Sequence, residues 1–150
     1  MITANEFRKL PKAEQTDLLK HLTLAEAEQM YKRMVFNVIA RNCDDHTKNF
    51  AFLMDQSGKW KLAPAYDICF AYRPESEWVS QHNLSINGKR KDFTREDLLK
   101  VAEQNSVRNP EKCIDESIAL VRDWRNYATK FGVDEEKAKA IDSLLIKELK

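Results

Sequence analysis

Glycine is almost missing from this 150-residue chain: only Gly58, Gly88 and Gly132 occur. So few glycines exclude a glycine-rich phosphate loop within these residues and favour a mostly helical fold. Cysteine is equally sparse. Cys43, Cys69 and Cys113 are an odd, widely spaced set without a C-x-x-C pair, which argues against a disulfide framework or a zinc site. Reduced thiols are the expectation. No apolar run approaches the roughly 20 residues of a membrane helix. The start, Met1-Ile-Thr-Ala-Asn-Glu, has neither the basic residues nor the apolar core of a secretion signal, so a cytoplasmic protein without membrane contact is expected. Nor does one charge dominate. A net charge of +1 gives no bulk attraction for nucleic acid, and no direct nucleic-acid partner is expected.

What is present suits a folded domain. Hydrophobic residues make up 43% and charged ones 33%, a balance that supports a packed core rather than disorder. The length fits a single domain over residues 1–150. The expected architecture is mainly α, with one small antiparallel β-hairpin carrying the functional residues.

Short helical pieces open the chain, with a Thr3–Glu6 capping box and a helix over Lys12–Leu22. Thr23 and Glu26 repeat the capping signature. Behind them Leu24, Ala27, Tyr31, Met34, Val35 and Val38 recur at helical spacing through Arg41, with Glu28 and Lys32 as an i,i+4 pair. From Phe50 the period changes to two. Phe50, Phe52 and Met54 are answered by Trp60 and Leu62 across Asp55-Gln-Ser-Gly58, and Pro64 stops the second strand. Such a hairpin brings Asn49 and the segment Pro64–Asp67 to one end. Residues 73–82 read as an exposed loop, and Leu84-Ser-Ile86 as a third short strand before the Asn87-Gly88 turn. Helices follow behind the Thr94–Asp97 cap, from Pro110 to the cap at Gly132, and from about Glu135 with Ala138, Ile141, Leu145 and Leu149 buried.

The chemistry is concentrated at the hairpin. Asp44, Asp45, His46, Lys48 and Asn49 fall within a few residues directly after an apolar helix, and Asp67 stands alone beyond the second strand. Charged groups are costly beside buried surface unless a partner compensates them. Asn49 offers a carbonyl and Asp67 a carboxylate, oxygen donors of the kind magnesium takes while leaving places for water and phosphate. Asp44 precedes Asn49 by five residues, the spacing between base and metal ligand in kinase catalytic loops.

These motifs resemble a known family. Asn42-Cys-Asp-Asp-His-Thr-Lys-Asn-Phe50, Leu62-Ala-Pro-Ala-Tyr-Asp67, Leu84-Ser-Ile-Asn-Gly-Lys-Arg90 and Asp92-Phe-Thr-Arg-Glu-Asp-Leu-Leu99 are similar to the C-terminal lobe of HipA-like serine/threonine kinases, the toxins of bacterial toxin–antitoxin pairs. The likeness runs from about Met34 onward. It implies ATP and Mg2+ as cofactors, Asp44 as the base toward a protein hydroxyl, and Asn49 and Asp67 as magnesium ligands. His46 and Lys48 would add donors to the phosphates. It also implies a protein substrate, a DNA-binding antitoxin, and a separate small-lobe partner, because the family's ATP-covering N-terminal half has no counterpart here. The pattern departs from ordinary kinases in three places, the first being His46, where lysine usually follows the base by two residues. Asn42-Cys43 stands where His-Arg is usual, and Ile68-Cys69 follows Asp67 in place of Phe-Gly.

Other readings compete at each position. Asp44 and Asn49 also suit a helix end and a turn. Asp45 reads as a solvated acid or a support for its neighbours, and His46 as a structural hydrogen-bonder. His21 and His82 read as surface residues, Lys89-Arg90-Lys91 as a solvated turn in preference to a substrate or nucleic-acid contact, and Trp60, Trp78 and Trp124 chiefly as core, with a partner contact the alternative for Trp78 in its loop. Beside the kinase lobe stand a catalytically silent binding module and a small metal-dependent phosphohydrolase.

Overall fold

Thr23 starts the first described helix of the computed structural model, which describes residues 23–150. The expected elements before Thr23, together with His21, lie outside the described residues. Helix α1 spans Leu24–Ile39 behind a complete capping box: the Thr23 hydroxyl accepts from the Glu26 amide, and the Glu26 carboxylate accepts from the Thr23 amide at 2.8 Å. The other carboxylate oxygen of Glu26 accepts from the Leu62 amide at 2.8 Å, tying the helix start to the hairpin. Tyr31, Val35, Val38 and Ile39 are buried. Leu24, in the first turn, is exposed. Glu28 pairs with Arg108 at 2.7 Å instead of relying on Lys32.

The expected hairpin forms, beginning at Phe52 rather than Phe50. Strands β1 (Phe52–Met54) and β2 (Trp60–Leu62) are antiparallel, with Phe52 opposite Leu62 and Met54 opposite Trp60. The Asp55 carboxylate accepts from the Ser57 and Lys59 amides, and Gly58 supplies a φ of 82°. The third strand does not form. Ile86 and Lys89 exchange two backbone bonds around Asn87 and Gly88, both at positive φ, and this is a tight turn with no further ladder. The Leu84 amide is spent on the Asp45 carboxylate, so it cannot extend a sheet.

Three further helices were expected and four are found: α2 (Arg95–Gln104), α3 (Pro110–Arg122), α4 (Trp124–Lys130) and α5 (Glu135–Leu144). The single helix expected from Pro110 to Gly132 breaks at Asp123. The Asp123 carbonyl accepts from the Asn126 and Tyr127 amides, and the Trp124 indole donates to the Ala138 carbonyl at 2.9 Å, turning α4 onto α5. Gly132, at φ 69°, closes α4 as expected. After Leu144 the chain is extended: the Ile146 amide donates to the Ile39 carbonyl, and Leu145, Ile146 and Leu149 pack on the core from this tail rather than from a helix.

The core joins α1, α2 and α3 through Val35, Val38, Ile39, Leu98, Ala102, Ile114, Ile118 and Val121. Each fully buried aliphatic side chain contributes about 1.5–3 kcal/mol. The second apolar stripe of the broken helix is only partly covered. Leu120, Trp124 and Tyr127 line an open apolar groove of about 340 Å3 with Phe36, Ile68 and Phe70. No described helix is long and apolar enough to cross a membrane.

Candidate functional site

The C-terminal end of α1 delivers the site. Val38 and Ile39 are fully buried there, and Arg41 turns the chain out at φ 57°. Residues 41–43 then run beside residue 71: the Ala71 amide donates to the Arg41 carbonyl, and the Cys43 amide donates to the Ala71 carbonyl, both at 3.0 Å. This parallel bridge lays the segment after Asp67 against the segment before Asp44.

Asn42 strengthens that connection. Its side chain is buried, and its Nδ2 donates to Asn37 Oδ1 at 3.1 Å and to the Asp67 carbonyl at 3.3 Å. Sequence reading missed this residue; an asparagine directly after an apolar helix stripe is the signal that could have found it. Asp67 sits at φ 53°, a left-handed conformation that aspartate tolerates better than most residues.

Asp44 and Asn49 are joined directly. The Asn49 side-chain nitrogen donates to the Asp44 carbonyl at 2.9 Å. A carbonyl can only accept, so the amide nitrogen must face inward and the amide oxygen faces away from the loop. Between them Thr47–Asn49 form one 3-10 turn, closed by the Asn49 amide on the His46 carbonyl at 2.9 Å. The Tyr66 hydroxyl donates to the Lys48 carbonyl at 2.7 Å. The neighbours of Asn49 and Asp67 are therefore bonded to each other, at the end of the hairpin where the period-two pattern put them.

Asp44 is half-exposed and Asp67 exposed. The Cys69 thiol reports both acids: partial desolvation pushes its pKa up, and the negative charges of Asp67 and Asp44 push it further in the same direction. His46 Nε2 lies 3.6 Å from Asp44 Oδ1, too far for a hydrogen bond, and His46 Nδ1 is buried with no partner among the described residues. Lys48 is exposed at the surface of the 3-10 turn.

Asp45 and His82 depart most from expectation. His82 was read as a surface residue, yet its Nδ1 lies 2.9 Å from Asp45 Oδ2 and both side chains are about 95% buried. No local pattern couples positions 37 apart, so the pair was invisible in sequence. The Lys89-Arg90-Lys91 turn is likewise less free than expected. Lys89 pairs with Asp97 at 2.7 Å, and Arg90 donates to the His82 carbonyl at 2.6 Å. Trp78 is 78% exposed, not core.

Asn49 and Asp67 bring donor types that suit a metal carried in by its ligand rather than a closed metal centre. Among the described residues no group of three or more His, Cys, Asp or Glu side chains could hold an ion. One carboxylate and one amide oxygen suffice for magnesium, which keeps most of its shell for water and phosphate.

A family model described as the HipA-like C-terminal domain matches residues 3–148. The match extends the likeness from about Met34 back across the opening segment. No curated protein matches the chain.

Proposed function

The chain belongs to the HipA-like C-terminal domain family, and from that premise we propose that it is the large catalytic lobe of a serine/threonine protein kinase. The whole of residues 1–150 is read as one such domain. The observation that carries the reading is the bond from Asn49 to the Asp44 carbonyl, with Asp67 drawn alongside by Asn42 and Tyr66.

In this reading Asn49 and Asp67 would hold the magnesium that accompanies the nucleotide. When bound, the ion neutralises charge on the transferring phosphoryl group. Asp44, whose carboxylate is half-exposed, would accept the proton of an incoming protein hydroxyl and orient its oxygen. Exposed Lys48 supplies a mobile cation for phosphate. His46 donates there only if its ring turns from Asp44. Little covalent chemistry is asked of the protein, so fixed backbone geometry matters more than any single pKa.

The 150 residues hold no glycine-rich loop, so this reading takes the ATP-covering surface from a separate N-terminal lobe and expects slow transfer without it. A toxin role beside a DNA-binding antitoxin belongs to the same reading. To test it, the chain is incubated with MgATP carrying a γ-phosphate label, alone and with a supplied small lobe. Label transfer to protein, abolished by both Asp44→Ala and Asp67→Ala, supports the kinase. Transfer that survives both substitutions, or free phosphate release as the only product, overturns it.

A further inference from the structure

The residue after the proposed base is also acidic, and the two neighbours are used in opposite ways. Asp44 faces solvent, whereas Asp45 is buried and fully engaged. Asp45 Oδ1 accepts from the Asn83 amide at 2.7 Å and the Leu84 amide at 3.3 Å, while Oδ2 meets His82 Nδ1 at 2.9 Å. An ionised carboxylate only accepts, so His82 carries its proton on Nδ1. Asn83 completes the grip from the other side, its Nδ2 donating to the Cys43 carbonyl at 2.9 Å. Three consecutive residues, 82–84, thus hold both chain neighbours of Asp44 and leave its carboxylate outside.

His82 is fixed in turn. Its amide donates to the Arg90 carbonyl at 2.9 Å, its carbonyl accepts from the Arg90 side chain, and its ring meets Phe93 edge-on at 5.3 Å. Phe93 packs against the hydrophobic core just before α2. The clamp therefore runs from the core to the catalytic loop without touching Asn49 or Asp67.

We propose that Asp45 and His82 are positioning residues, a buried clamp that fixes the backbone on both sides of Asp44 and so aims its carboxylate. The inference rests on the phosphotransfer reading of Asp44. A misplacement of about 1 Å can cost a phosphoryl-transfer site about 100-fold in rate.

The test compares His82→Ala, which removes the ring donor, with His82→Asn, whose amide nitrogen can donate from near the Nδ1 position. Backbone relaxation dispersion on the full chain reads motion at Cys43, Asp44 and Asp45, with the α3 amides as reference. Millisecond exchange confined to those three residues in His82→Ala, and reversed in His82→Asn, supports the clamp. Rigid loop amides in His82→Ala, or loosening that spreads equally through α3, overturn it. Supplied with a small lobe, His82→Ala is expected to lose about 10–100-fold in kcat for label transfer with KM for MgATP within twofold. An unchanged kcat in His82→Ala also overturns it. Absence of transfer by the unsubstituted chain counts against the kinase reading, while the relaxation result still decides the clamp.

Discussion

The side-chain nitrogen of Asn49 donates to the main-chain carbonyl of Asp44, five residues earlier, closing the loop 44–49 on itself. That direction separates two roles that a list of metal ligands merges. Asn49→Asp supplies a better oxygen ligand but sets a carboxylate against a carbonyl, acceptor against acceptor. The expected outcome is that Asn49→Asp, like Asn49→Ala, lowers label transfer by more than about 100-fold. Recovery of activity in Asn49→Asp would show that charge, not loop closure, is what position 49 provides.

Cys69 gives a readout without turnover. Cys43 and Cys113 are buried, and burial pushes the Cys43 thiol up to about 11, so alkylation of the native chain is expected at Cys69 alone. Its rate should be below that of an unstrained free thiol at pH 7.5, because desolvation and then Asp67 and Asp44 disfavour the thiolate. Asp67→Asn removes one of those charges and should raise the rate a few-fold. Mass-mapped iodoacetamide labelling checks both statements.

Asp97 links stability to pH. Burial would raise its pKa, but Lys89, the Thr94 amide and hydroxyl, and Asn87 outweigh it and hold the carboxyl well below the usual carboxylate range. A folded pKa below the unfolded one means that the stabilisation is complete above the unfolded pKa of about 4 and is lost as pH falls toward the folded value. Asp97→Asn also weakens the cap of α2. It should cost about 1–3 kcal/mol in urea unfolding at pH 7. The gap between the two proteins should narrow steadily below pH 4; a constant gap from pH 7 to pH 3 would contradict the assignment.

Glu26 serves the helix cap and the hairpin together. Glu26→Ala should destabilise the chain by about 1–2 kcal/mol. Hydrogen exchange should locate the loss, with the Leu62 amide exchanging faster while the buried amides of α3 change only with global stability.

Local chemistry explains which features were legible beforehand. Capping boxes at Thr23 and Thr94, the alternation from Phe52 to Leu62, and the Asn87-Gly88 turn each lie within a short window, and each appears as read. The break at Asp123 escaped because the apolar stripe runs through it, and it is Asp123 acting as a cap and Trp124 reaching Ala138 that redirect the chain. The third strand failed for a tertiary reason, since Asp45 takes the amide that Leu84 would have offered to a ladder. At the site, the spacing of Asp44 and Asn49 was readable, whereas the buried roles of Asn42, Asp45 and His82 depend on partners 5 to 39 residues away.

Asn42 has a mechanical consequence. One buried amide grips Asn37, in the last turns of α1, and the Asp67 carbonyl, while its own oxygen finds no partner among the described residues. Sliding or rotation of that helix end is passed to the acid across the hairpin through this amide, beside the backbone bridge at Ala71. Efforts to stiffen the hydrophobic interior near Val38 and Ile39 will therefore also retune the spacing of the surface acids, and heat tolerance and site geometry cannot be adjusted independently there.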